Sequence, residues 1–188
     1  MKTNIMKLSV IVTIVIITII LLFYDSVSYD ESLIEKQIAA DLDLSNVKIR
    51  NMKDLDDIRA IVFTAGDNDI GHCILTRNVI GRYKIDITGN AGTSRLFICI
   101  IDRIYDKNYF CLVGKNEGKI TNAVIHITGL DNQDKPIAFD EKVIIPDEEY
   151  FVMVEEMKST YSIDGDYSDN TQFYDKNGKN VTRELLNY

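Results

Sequence analysis

Leu96-Phe97-Ile98-Cys99-Ile100-Ile101 is an unbroken apolar run. Successive side chains of a strand point to opposite faces, so this segment is apolar on both, as a strand covered on both sides must be. Phe110 to Val113 and Tyr150 to Val154 have the same character. Outward from these runs the period settles at two. Arg82-Tyr83-Lys84-Ile85-Asp86-Ile87-Thr88 sets Tyr83, Ile85 and Ile87 against a polar face, and Ala123, Ile125 and Ile127 stand against Asn122, Val124, His126 and Thr128. These segments are rich in β-branched and aromatic residues, which suit a pleated surface. Turn signals separate them: Gly66 to Asp69 between strands near 58–65 and 71–77, Asn78 to Gly81, Gly89 to Gly92, Asn116 to Gly118, and Pro146-Asp147. Asn177-Gly178, between Phe173-Tyr174 and Val181, is the strongest hairpin signal because both residues tolerate positive φ.

Beyond residue 45 no segment has a helical period. The pattern predicts a mainly β fold, an antiparallel β-sandwich or barrel-like domain over residues 46–188 built from about nine or ten short strands. Tyr105-Asp106-Lys107-Asn108 marks either a subdomain break near 105 or, preferably, a hairpin tip, because connections in compact domains run to only ~4–6 residues. The polar stretch from Ser159 to Asn170 reads as a surface loop.

The amino-terminal region reads differently. Residues 8–24, LSVIVTIVIITIILLFY, carry no charge. As a helix they reach roughly 25 Å, near the lower limit for a ~30 Å hydrocarbon core. Lys2 and Lys7 precede the run and every acidic residue follows it. The expectation is a single-pass signal-anchor at the cell membrane, with residues 1–7 cytoplasmic and residues 25–188 extracytoplasmic. A secreted protein cleaved near Ser28 is the competing reading, since Ser26-Val27-Ser28 offers small residues where a signal peptidase reads. Ser28-Tyr29-Asp30-Glu31 has the form of a capping box. With Ile34, Ile38 and Leu42 spaced four apart, it predicts a short amphipathic helix over 29–42 within a connector at 25–45.

Composition bounds the rest. The 188 residues are 46% hydrophobic and 27% charged with only ten Gly and two Pro, which excludes disorder and fibrous repeats. With 29 acidic against 21 basic side chains the net charge is −8, so nucleic acid is not an expected partner. Cys73, Cys99 and Cys111 leave at least one thiol unpaired. Cys99 and Cys111 lie on successive strands and form a disulfide only if the register brings their Cα atoms within about 7 Å. His72 and Cys73 are adjacent on a strand and point apart, which prevents them from sharing a metal, while His126 falls on a polar face.

Asp164-Gly165-Asp166-Tyr167-Ser168-Asp169 gathers three carboxylates, but Asp169 stands where an EF-hand requires Gly and Asp175 where it requires Glu. Asn180-Val181-Thr182 matches the glycosylation sequon. Nucleophile elbows, zinc-protease motifs and phosphate loops are missing. No catalytic residue, cofactor or metal is therefore assigned. The reading is a membrane-anchored protein, its bilayer contact made by residues 8–24, whose exported β domain serves binding, sensing or assembly with a protein or peptide partner. A hydrolase using Asp or Glu with one His is the rival, and a polar pocket holding paired carboxylates or His72 would favour it.

Overall fold

The computed structural model describes residues 10–20, 30–66, 69–78, 81–90, 95–157 and 161–185. Its strands fall into three antiparallel sheets. β1 (Lys48–Leu55), β2 (Ile58–Ala65), β3 (Asp69–Arg77) and β4 (Tyr83–Asn90) form a meander in chain order. β5 (Phe97–Ile104) turns into β6 (Lys107–Lys115) through Tyr105 and Asp106, both at positive φ (48° and 63°), as a two-residue hairpin requires. β7 (Asn122–Leu130) and β8 (Pro136–Ile144) are followed by β9 (Tyr150–Met157), which returns to β6, and by β10 (Gly165–Asp166), which joins β5. The middle sheet thus has the order β10-β5-β6-β9. The third, with β11 (Thr171–Tyr174), has the order β11-β7-β8.

The two-faced apolar strands explain the stacking. Phe97, Cys99, Ile101, Phe110, Leu112, Phe151 and Met153 pack against Ala123, Ile125, Ile127 and Phe173 of the third sheet. From the other face, Ile98, Ile100, Cys111, Val113 and Val152 meet Ile58, Ala60, Val62 and Ile74 of the first sheet. The outer face of the first sheet carries Ile61, Phe63, Cys73 and Leu75, which are covered by a helix. The fold is mainly β, as expected, but it is three sheets and a helix in four layers rather than a two-sheet sandwich, and no sheet closes into a barrel among the described residues.

Two helices precede the strands. α1 occupies residues 10–20, and its side chains are exposed. Among the described residues no helix is long and apolar enough to cross a membrane. This corrects the transmembrane signal-anchor over 8–24, the bilayer contact made through it and the single-pass cell-membrane placement. Positions 8–9 and 21–24 of that span, and the cleavage site at Ser28, lie outside the described residues.

α2 (Glu31–Asp41) starts at Asp30, whose carboxylate accepts the Ser32 N–H at 2.9 Å. The N-cap is therefore Asp30 and not Ser28. Ile34 and Ile38 are fully buried on the first sheet, and Glu35 Oε1 accepts the Ile49 N–H at 2.9 Å.

Two further expectations change. A bulge opposite Ile74 and Leu75 inserts Asp86 as an extra residue in β4. It breaks the alternation, so Tyr83 and Ile85 pack toward α2 while Ile87 packs toward the middle sheet. Within the expected loop at 159–170, Ile163, Tyr167 and Ser168 are buried. Tyr167 Oη–H lies 2.8 Å from the Thr128 carbonyl and 2.9 Å from that of Ile163, and Asp166 pairs with Ile100 as an edge strand. The segment 161–170 is anchored to the core by Ile163 and Tyr167, while most of the polar residues between them stay exposed. Asn177-Gly178 does form a turn, closed by Gly178 N–H to the Asp175 carbonyl at 3.0 Å, but only Gly178 takes positive φ.

Phe97 and Phe173 meet edge to face with ring centroids 4.5 Å apart, locking the middle sheet to the third. Phe97→Ala is expected to lower unfolding free energy by about 3–5 kcal/mol in urea titration. Ile144→Ser, at a position 82% exposed, should stay within about 0.5 kcal/mol.

Candidate functional site

A charged residue in the apolar phase of a strand faces inward and must be accommodated there. β8 alternates Ile137, Phe139, Glu141, Val143, and β9 alternates Phe151, Met153, Glu155, Met157. Glu141 stands opposite Ile125 and Glu155 opposite Phe110, both core residues, so the two glutamates project from facing sheets into one gap. There the sheets part into a cleft of about 700 Å³ whose walls include Phe110, Phe139, Met157 and Tyr161 as well as both glutamates. Glu141 is half-buried and Glu155 exposed at the rim. Glu156, also at the rim, is held by Lys107 at 2.7 Å, and this contact raises the lysine's affinity for its proton. Phe139 and Tyr161 lie with ring centroids 5.8 Å apart.

The Tyr161 segment is fixed in two ways. Asn108 Nδ2 donates to the Tyr161 carbonyl at 2.7 Å. Gly129 lets residues 162–163 cross so closely that a Cβ there would collide with the Ser162 carbonyl oxygen. Among the described residues both strands beside the cleft end their sheets: β8 pairs only with β7, and β9 only with β6. Asn51 Nδ2 donates to the Tyr150 carbonyl at 2.8 Å, so β1 covers the start of β9, the end away from Glu155. The cleft is thus an aromatic floor with carboxylates at mouth and wall, flanked by free strand edges. It suits an extended ligand carrying positive charge.

The residues singled out in the sequence are dispersed. Cys73, Cys99 and Cys111 occupy three different core layers as free, buried thiols. Cys111 pairs with Ile100 and Cys99 with Leu112, so the two thiols point to opposite faces and form no disulfide. Burial pushes the Cys99 thiol up to about 12 and the other two higher still, which keeps all three protonated and unreactive. His126 is exposed, with Nδ1 2.9 Å from Asp140 Oδ1 across the strand pair. Asp166 accepts the Ser168 N–H at 2.8 Å and Asp169 meets Arg95 at 3.1 Å. Glu141 and Glu155 were missed by the sequence reading, although their place in the apolar phase was the available signal.

The chain matches no protein-family model, no curated protein and no solved structure.

His72 faces the middle sheet and Cys73 faces α2, on opposite sides of β3. Burial lowers the His72 pKa to about 4, partly opposed by the Asp166 carboxylate. An unfolded chain titrates that ring near ~6.5. Between those values the unfolded state binds a proton that the folded state refuses, so the contribution is intact above ~6.5 and is lost as pH falls toward 4. Urea titrations at pH 7 and pH 4.5 should show a larger loss for the wild type than for His72→Phe, which lacks the titrating group.

Proposed function

We propose that the protein is a binding module that takes an extended, positively charged peptide into the cleft between the middle and third sheets. The observation that carries this reading is the pair of inward glutamates, Glu141 from β8 and Glu155 from β9, above an aromatic floor. The free edges of β8 and β9 offer main-chain partners to an added strand. A Lys or Arg at alternate positions then reaches the carboxylates, its aliphatic stem lying on Phe110, Phe139 and Met157 in the same inward phase. The overall excess of acidic residues favours encounter with such a partner.

Two carboxylates facing across a cleft are also what the hydrolase reading requires, and this supports it as the second choice. A carboxylate acid–base pair works when one member is kept protonated by an apolar surround. Glu155 is exposed and Glu141 only half-buried, which favours binding over turnover.

Fluorescence anisotropy with a labelled alternating Val-Lys peptide and its Val-Glu counterpart distinguishes the outcomes. The Val-Lys peptide should bind, weaken with added salt, and lose about threefold to fivefold in affinity on Glu141→Gln and less on the exposed Glu155→Gln, since an ion pair near the surface is worth up to about 1 kcal/mol. Equal binding of both peptides, or no effect of either substitution, would overturn the proposal. Turnover of a chromogenic glycoside, abolished by either substitution, would install the hydrolase in its place.

A further inference from the structure

A second cavity lies at the opposite edge of the molecule, away from the peptide cleft. β1 closes over β9 along one margin of the first and middle sheets, through Asn51 and the Tyr150 carbonyl. Along the other margin β4 and β10 end the two sheets and leave a space of about 500 Å³. His72 on β3 points into it from the phase occupied by Ile70 and Ile74. The residue is only 6% exposed, yet both imidazole nitrogens are buried without a hydrogen-bond partner. A neutral imidazole presents one donor and one acceptor, and buried polar groups are ordinarily matched. The ring is kept neutral by its burial, so both capacities are on offer to whatever enters.

The surroundings make room for the ring. Gly89 stands directly across from His72 in register, and a Cβ there would sit 2.5 Å from the ring Cε1. Gly89 occupies that face only because the Asp86 bulge shifts the phase of β4. Charges of both signs line the walls. Arg95 supplies a guanidinium, one of whose nitrogens meets Asp169 at 3.1 Å. Asp102 and Asp166 supply carboxylates from β5 and β10, while Ile98 and Ile100 form an apolar patch. Burial, with Asp164 and Asp86 nearby, holds the Asp102 carboxyl above the usual carboxylate range. Among the described residues no group of three His, Cys, Asp or Glu is placed to hold a metal ion. An anion alone would face both aspartates, and a cation alone would face Arg95.

We infer that this cavity binds a small zwitterion of the free amino acid class, its carboxylate on Arg95, its ammonium on Asp102 and Asp166, and its side chain against His72 and the isoleucine patch. Guanidinium is the side chain best shaped to take a carboxylate through two parallel hydrogen bonds. The unmatched imidazole nitrogens select a side chain that carries its own donor or acceptor. The site is independent of the peptide cleft, whose residues lie on other strands.

The test is thermal shift and calorimetry on the full chain with the common free amino acids, each compared with its N-acetylated and its C-amidated derivative. At least one polar free amino acid should bind saturably and raise the melting temperature. Blocking either of its charged ends should weaken binding by about tenfold or more. Arg95→Gln, a substitution at the cavity rim, should abolish the shift while leaving the ligand-free melting temperature near that of the wild type. Gly89→Ala should weaken binding by displacing the ring. If Arg95→Gln unfolds the chain, Asp166→Asn on the two-residue edge strand takes its place, with the same loss of binding expected. Absence of saturable binding by any amino acid at millimolar concentration, equal binding of the blocked derivatives, or unchanged binding by the folded rim variant would overturn the inference.

Discussion

The middle sheet has no face it can show to water. β5, β6 and β9 are apolar on both sides, and burying such strands takes a layer above and a layer below. The first sheet supplies one cover and the third sheet the other. Because the first sheet is itself apolar on its far face, it needs α2 in turn. The four layers therefore follow from one requirement passed outward until a polar face is reached. The outer face of the third sheet ends the series, with His126, Asp140 and Lys142 exposed to solvent.

Stacking also explains where ligands can enter. Twisted sheets of unequal strand content cannot match along all their margins. Where a layer overhangs, the interface opens, and the side chains lining the opening come from positions that would otherwise be core. Glu141, Glu155, His72 and Asp102 all stand in register with isoleucine, phenylalanine or methionine neighbours on their own strands. The three carboxylates in such positions sit at a mouth instead of in the sealed interior, whereas His72 is buried beside its cavity with both ring nitrogens unmatched.

Local features were legible in the chain. The two-faced runs at 96–101 and 150–154, the turns, and the opposed directions of His72 and Cys73 all follow from a period of two. Long-range choices were not. Nothing in the alternation of β9 says that it crosses back to β6 rather than pairing with β8, and that choice creates the third layer. The Asp86 bulge is invisible in a sequence that alternates cleanly through it. The apolar run at 8–24 gave a membrane anchor by composition, whereas among the described residues no helix is long and apolar enough for that role. Residues 161–170 looked polar because Ile163 and Tyr167 are few, yet their burial decides the position of the segment. The candidate sites were readable only as exceptions, as single charges in the apolar phase, and such an exception gains meaning once the facing sheet is known.

Native-state hydrogen exchange of the backbone amides tests the layered account most directly. Amides of β5 and β6, and those of β9 bonded to β6, should be the slowest in the chain and should exchange only through global unfolding, with β1 and β8 opening at lower free energy. If the middle strands exchange as readily as β8, they are not enclosed on both faces and the four-layer arrangement is wrong.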